Sequence, residues 1–142
     1  MNEEQKKAIQ DVLTANLMTI ISTVSESGQP QSALIGFAED ESGSLYFQTK
    51  ESSRKAANLQ LSNKVSFVIG WDVASLTTLQ YQGNAERVTS ETEISAFKQR
   101  FIDKKSPAAQ YLENPDVQFY KVTPTWLRYS NYKENSVWEH SF

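Results

Sequence analysis

The 142 residues contain no cysteine, so the chain can hold no disulfide, thiolate zinc site, iron–sulfur cluster or cysteine nucleophile. Histidine occurs once, at His140, two residues from the last position. A Ser–His–Asp triad or a histidine-based metal site would therefore have to be built from a segment that reads as a tail. The five glycines, at 28, 36, 43, 70 and 83, are never closer than seven residues apart. Neither GxGxxG nor GxxxxGK[ST] can be written, which excludes Rossmann and Walker-type phosphate loops at the motif level. No apolar run approaches the roughly 18 residues of a membrane span, and 1–11 is polar and acidic, without the apolar stretch of a signal peptide. These features predict a cytoplasmic protein. Lys plus Arg is 14 and Asp plus Glu is 17, so the net charge is 14 − 17 = −3, and neither sign forms a long run. Non-specific binding to nucleic acid or to an anionic membrane is not expected.

What is present suits a globular core: 39% hydrophobic, 11% aromatic and 22% charged residues. The length fits one domain over 1–142, and no repeat, low-complexity tract or long linker divides it. Asn2–Asn16 spaces Ile9, Val12 and Leu13 as one apolar helix face, with Glu3 and Glu4 favourably placed in the first turn. Leu17–Val24, Ser32–Ala38 and Leu45–Thr49 read as strands separated by polar turns. Ser52–Ser62 reads as a short helix with Ser52 or Ser53 as N-cap. Val65–Trp71 and Thr77–Val88 are two more strands, the second with a bulge expected at Gly83. Ser90 and Glu93 form a capping-box pattern ahead of a helix carrying Ile94, Phe97 and Phe101. A short helical turn after Pro107 precedes two closing strands, Val117–Thr123 and Trp126–Tyr132. The order predicts a mainly β architecture: an antiparallel barrel of six or seven strands with helices packed outside.

The most informative stretch is Gln48-Thr49-Lys50-Glu51-Ser52-Ser53-Arg54-Lys55, which joins a strand end to a helix start. A helix N-terminus exposes unpaired N–H groups and partial positive charge, so each cation there costs about 0.3–1 kcal/mol. Two readings fit Arg54 and Lys55. Either an anion sits among Thr49, the serines and the two cations, or the helix is simply Ser-capped and solvated, with Glu51 offsetting charge. Trp71, Trp126 and Trp138, with Tyr81, Tyr120, Tyr129 and Tyr132, suit a core or interface more than a stacked ligand. Asp103-Lys104-Lys105 reads as a solvated helix end. Glu39-Asp40-Glu41 reads as a polar turn with no apolar surroundings to raise a carboxyl pKa.

The segments GQPQSALIGFA, LYFQT, SSRKAANLQLSNKVSFVIGW and QYQGNAERV follow one another in an order that resembles the flavin-binding split-barrel proteins related to pyridoxamine 5′-phosphate oxidase, in a general stress protein-like form. The resemblance runs from about Leu17 to Tyr132. It implies a six-stranded antiparallel split β-barrel that dimerises with itself and holds flavin mononucleotide (FMN) between subunits. By resemblance, Arg54 and Lys55 take the flavin phosphate, with Ser53 before them and Gln48 and Thr49 lining the cofactor. Ser32, Ala33, Leu34 and Ile35 then follow the isoalloxazine edge, and Thr78 reaches the flavin from the neighbouring subunit. The chain departs from the oxidases in two places. Ser32 or Ala33 stands where they carry an arginine, and its VWEHSF end lacks their Arg-x-His-Asp-Arg stretch. Both departures argue against pyridoxamine 5′-phosphate oxidation itself. The resemblance implies a flavin-dependent oxidoreductase acting on an unidentified small molecule, with no metal and no assigned acid or base. A non-catalytic flavin carrier or stress-related binding module is the alternative, and a deazaflavin-dependent reductase a more distant one.

Overall fold

The computed structural model describes residues 1–142. Helix α1 (Glu3–Ala15) starts at a complete capping box: Gln5 N donates to Asn2 Oδ1 at 2.8 Å and Asn2 N donates to Gln5 Oε1 at 3.1 Å. Its apolar face, Ile9, Val12 and Leu13, is buried in the main core. Then come β1 (Met18–Val24), β2 (Pro30–Gly36), β3 (Ala38–Glu39), β4 (Leu45–Lys50), α2 (Arg54–Leu61), β5 (Lys64–Ile69) and β6 (Thr77–Val88). Helix α3 (Glu91–Lys104), a 3₁₀ helix (Pro107–Tyr111), β7 (Val117–Asn131) and β8 (Ser136–Ser141) complete the chain. No helix is long and apolar enough to cross a membrane.

All strand pairings are antiparallel, in the order β2-β1-β5-β6-β7-β4-β3, with β8 added to β7. β3 continues β2 after a break at Phe37, so the two ends of this path are halves of one bent segment and the sheet curls round on itself. Inside the curl lies a core of 18 residues, including Ile21, Phe37, Phe47, Phe67, Tyr81 and Leu127. A second cluster, built on Phe97, Phe101, Phe119, Tyr46 and Val88, packs α3 against the outside of the sheet.

The mainly β, split-barrel architecture is as expected, but six strands are too few. Counting the bent segment once, there are seven: β8 is a strand where the sequence suggests a tail. Trp138 stacks on Tyr129 with ring centroids 5.2 Å apart, Glu139 pairs with Arg128 at 3.1 Å, and His140 lies opposite Leu127. The two expected closing strands are one, because Pro124 does not end β7. It sits opposite Gly83, where the β6–β7 register slips, so its missing N–H falls at an irregularity of the ladder. Gly83 is needed there: a Cβ would lie 2.6 Å from both Thr123 O and Val122 Cγ1. Gly83→Ala is expected to cost about 1–3 kcal/mol of unfolding free energy by forced displacement of β7. Urea denaturation measures this, and an unchanged midpoint would show that the bulge yields freely.

Two charge assignments also change. The expected solvated helix end at Lys104 and polar turn at Glu39 are instead one buried ion pair, with side chains 9% and 8% exposed. The spacing of α3 turns Lys104 inward beside Phe37, whereas Asp103 and Lys105 remain solvent-facing. Asp40, in the same turn, is partly buried and accepts from Ser42, Ser44 and Tyr46. Burial raises its pKa, but hydrogen bonds from Ser42, Tyr46 and Ser44 outweigh that and hold it below the ordinary aspartate value.

Candidate functional site

The site begins at the β4–α2 junction. Ser53 is the N-cap of α2, its Oγ accepting from Ala56 N at 3.1 Å, and the same Oγ lies 2.7 Å from Thr49 Oγ1 on β4. Asn58, buried one turn further on, donates to Thr23 Oγ1 on β1 and Gln31 Oε1 on β2, both at 2.9 Å. These bonds fix the start of α2 against the β1–β2 pair. Arg54 and Lys55 then line a small hollow of about 90 Å³ together with Thr23, Gln31, Ser32 and Ala33.

The hollow is electrostatically unbalanced. The chain has five ion pairs and neither Arg54 nor Lys55 belongs to one. Burial, and then the charge of Arg54, hold the Lys55 ammonium below the ordinary lysine pKa. Two adjacent cations at a helix N-terminus, with no acidic residue in its first turn, form an arrangement that an anion stabilises.

From Ser32 and Ala33, β2 continues through Leu34, Ile35 and Gly36 into a larger cavity of about 550 Å³. β4 supplies Gln48, Thr49 and Lys50 to its wall, and the 3₁₀ helix closes another side. That closure is built into the sequence. A Cβ on Gly36 would lie 2.7 Å from Ala108 Cβ, so only glycine lets the 3₁₀ helix press this close. Gln48 Nε2 donates to Ala108 O at 2.6 Å and pins the contact from β4. The other end of that amide, Gln48 Oε1, is buried and has no partner. A buried acceptor without a donor costs about 1–3 kcal/mol, a cost the Nε2 contact to Ala108 offsets in part.

The fold therefore gathers the sequence-predicted residues in two adjoining groups. Ser32 and Ala33 meet Arg54 and Lys55, while Leu34 and Ile35 meet Gln48 and Thr49, with Ser53 bonded to Thr49 between them. Thr78 stands apart: it faces Ser130 across the β6–β7 ladder and lines neither space. None of Trp71, Trp126, Trp138, Tyr81, Tyr120, Tyr129 and Tyr132 lines them either. Met18, Ala108, Gln110, Tyr111 and Asn114 do line the larger cavity, and sequence reasoning passed them over. Their signal is faint, since only Pro107 and Pro115 bracket the segment. The unpaired cations and the apolar wall together fit a phosphorylated planar cofactor.

Comparison with known proteins agrees in part. Residues 5–131 match the family described as pyridoxamine 5′-phosphate oxidase. A pyridoxine/pyridoxamine 5′-phosphate oxidase of Photorhabdus laumondii is 33% identical over 88 residues, a match spanning 62% of this chain but only 40% of that protein. Among solved structures, a heme binding protein from Mycobacterium smegmatis superimposes with a TM-score of 0.83 at 14% identity, over 99% of this chain and 59% of that one. General stress protein 26 from Bacillus anthracis gives a TM-score of 0.73 at 19% identity, over 96% and 99%. At these identities the structural likenesses establish the fold.

Proposed function

Because the chain belongs to the pyridoxamine 5′-phosphate oxidase family, we propose that it binds FMN, with the phosphate on Arg54 and Lys55 and the ring along β2 toward Gln48. The observation that carries this reading is the pair of unpaired cations at the start of α2, lining a hollow with Ser32 and Ala33, the β2 residues that precede the wall of the larger cavity. Ser53 stays an N-cap and Thr49 its hydroxyl partner, so the phosphate meets Arg54, Lys55 and the first free N–H groups of the helix. Bound flavin supplies hydride transfer to or from a small molecule, and the protein contributes position and electrostatics.

The proposal includes a homodimer. On the outward sheet face Leu34, Ile20 and Val68 lie side by side in register, 59%, 38% and 41% exposed. An apolar row of this kind suits a second copy of the chain, and Thr78 of that copy is the residue assigned to reach the flavin.

The test is the visible absorption spectrum of the protein after incubation with FMN and removal of free ligand, with the mass of anything released on heating. A retained flavin spectrum is the expected outcome; its absence refutes the reading. Anaerobic addition of nicotinamide donors then separates a catalyst, whose flavin bleaches, from a carrier, whose flavin does not. The Mycobacterium smegmatis likeness supports heme as a second reading. Histidine ligation would then fall to His140, which lines neither space, and a Soret band in the same spectrum would identify it.

A further inference from the structure

We propose that Gln31 is a third phosphate ligand in the hollow at the start of α2, a neutral donor held in its donating orientation by Asn58. This rests on the flavin reading and adds to it one binding residue, Gln31, and one positioning residue, Asn58.

The hollow has a charged side and a neutral one. Arg54 and Lys55 line it from α2, while Thr23, Gln31, Ser32 and Ala33 line it from β1 and β2, and no carboxylate is among them. A phosphate dianion accepts hydrogen bonds through all its free oxygens, so those turned to the strands need an N–H or O–H there.

The hydrogen bonds around Asn58 show which side chain can supply it. Thr23 and Gln31 are register partners on β1 and β2. Asn58 reaches both from α2, its Nδ2 donating to Thr23 Oγ1 and to Gln31 Oε1 at 2.9 Å each. Both hydrogens of that amide are thereby used, and Gln31 is fixed by its carbonyl oxygen. Reversing the Gln31 amide would set its own N–H groups against those of Asn58 and turn its oxygen toward the anion. The Asn58 contact works against both.

The other end of Gln31 is free and open. Its oxygen is committed to Asn58, and its Nε2 donates to no group of the protein. Gln31 is only half-buried, and Gln48 Oε1, not Gln31 Nε2, is the sealed side-chain atom without a partner, so this amide nitrogen remains accessible from the hollow that Gln31 lines. The neighbouring hydroxyls are each engaged once, Thr23 with Asn58 and Ser32 with Ser22 Oγ at 2.8 Å. Asn58 is 6% exposed and does not line the hollow, so it acts through Gln31 and not on the phosphate.

The test is fluorescence titration of the ligand-free protein with FMN and, separately, with riboflavin, which has the ring without the phosphate. Gln31→Leu keeps the size and removes the amide. It is expected to weaken FMN about tenfold, the loss of one hydrogen bond to a charged group, and to leave riboflavin unchanged. Asn58→Ala is expected to weaken FMN several-fold, and in that background the further effect of Gln31→Leu should shrink to about twofold or less, because the amide is no longer aimed. Unchanged FMN affinity in Gln31→Leu, equal losses for FMN and riboflavin, or fully additive effects of the two substitutions each overturns the proposal. Should Asn58→Ala not fold, the first two outcomes decide on Gln31→Leu alone. If the protein takes up no FMN, the flavin reading has failed on its own, and isothermal titration with inorganic phosphate decides this inference separately. Weaker phosphate binding in Gln31→Leu upholds it; equal binding, or none to the unsubstituted protein, overturns it.

Discussion

Replacing both Arg54 and Lys55 by alanine is expected to weaken FMN binding by about 10²–10⁴-fold while leaving the fold intact. Each hydrogen bond to a charged group contributes about 1.5–3 kcal/mol, and 1.4 kcal/mol is a factor of ten. The protein without ligand has no ion pair to lose at these positions, and Lys55 is a half-buried cation held beside another. Its unfolding free energy should stay level or rise slightly. Riboflavin, which has the ring and no phosphate, is the control: its affinity should not change in the double variant. Equal losses for FMN and riboflavin would instead mean that the substitutions disturb the ring cavity, and full retention of FMN would remove the phosphate assignment.

The same pair predicts a pH dependence. Burial and the Arg54 charge depress the Lys55 pKa, so in the free protein Lys55 loses its proton at a lower pH than an ordinary lysine. FMN affinity should therefore fall as pH rises toward that depressed value, below 10.5, and should not vanish, because Arg54 remains charged. In Lys55→Ala this slope should disappear while the affinity at neutral pH is already reduced. Fluorescence titration across the alkaline range measures both.

The parts of the site that were legible in the sequence are those fixed by local rules. Ser52 or Ser53 is the expected cap because helix starts leave N–H groups open, and two cations after it violate the dipole preference, so the anomaly is visible without coordinates and the structure selects Ser53. The same logic found α1, the Ser90 cap and the bulge at Gly83. What stayed hidden depends on tertiary neighbours. Pro124 reads as a strand end until Gly83 is known to face it. The row Ser136–Ser141 reads as a tail until β7 offers it a ladder and Tyr129 offers Trp138 a ring. The cavity wall at Tyr111 exists because Gly36, 72 positions from Ala108 in the chain, has no side chain to hold the 3₁₀ helix away. Spacing within a single element cannot show that.

Lys104→Ala is expected to be the most destabilising of these substitutions, at about 3–5 kcal/mol, because it leaves the buried Glu39 carboxylate without its partner. At about 2–4 °C per kcal/mol for a chain near this size, the melting temperature should fall by roughly 6–20 °C. The Lys104 ammonium also donates to Leu13 O at 3.0 Å, in the last turn of α1, and lies 3.7 Å above the Phe37 ring. One side chain thus ties α1, the break between β2 and β3, and the end of α3. A solvated helix end at this position would give a change within about 0.5 kcal/mol, so the size of the effect decides between the two descriptions. Charge complementarity, and not shape, should account for most of it. Lys104→Met/Glu39→Leu should recover most of the stability, since a buried ion pair replaced by apolar groups of similar volume is often neutral or better. Glu39→Gln should cost less than Lys104→Ala, because a neutral acceptor remains for the ammonium. Denaturant unfolding of Lys104→Met, Glu39→Leu and the double variant forms a mutant cycle that isolates the pair. FMN content per folded molecule should stay constant throughout, because this clamp grips β3 beyond Phe37 while the binding residues Ser32–Ile35 lie before it. A parallel loss of FMN would mean that the clamp also sets the course of β2.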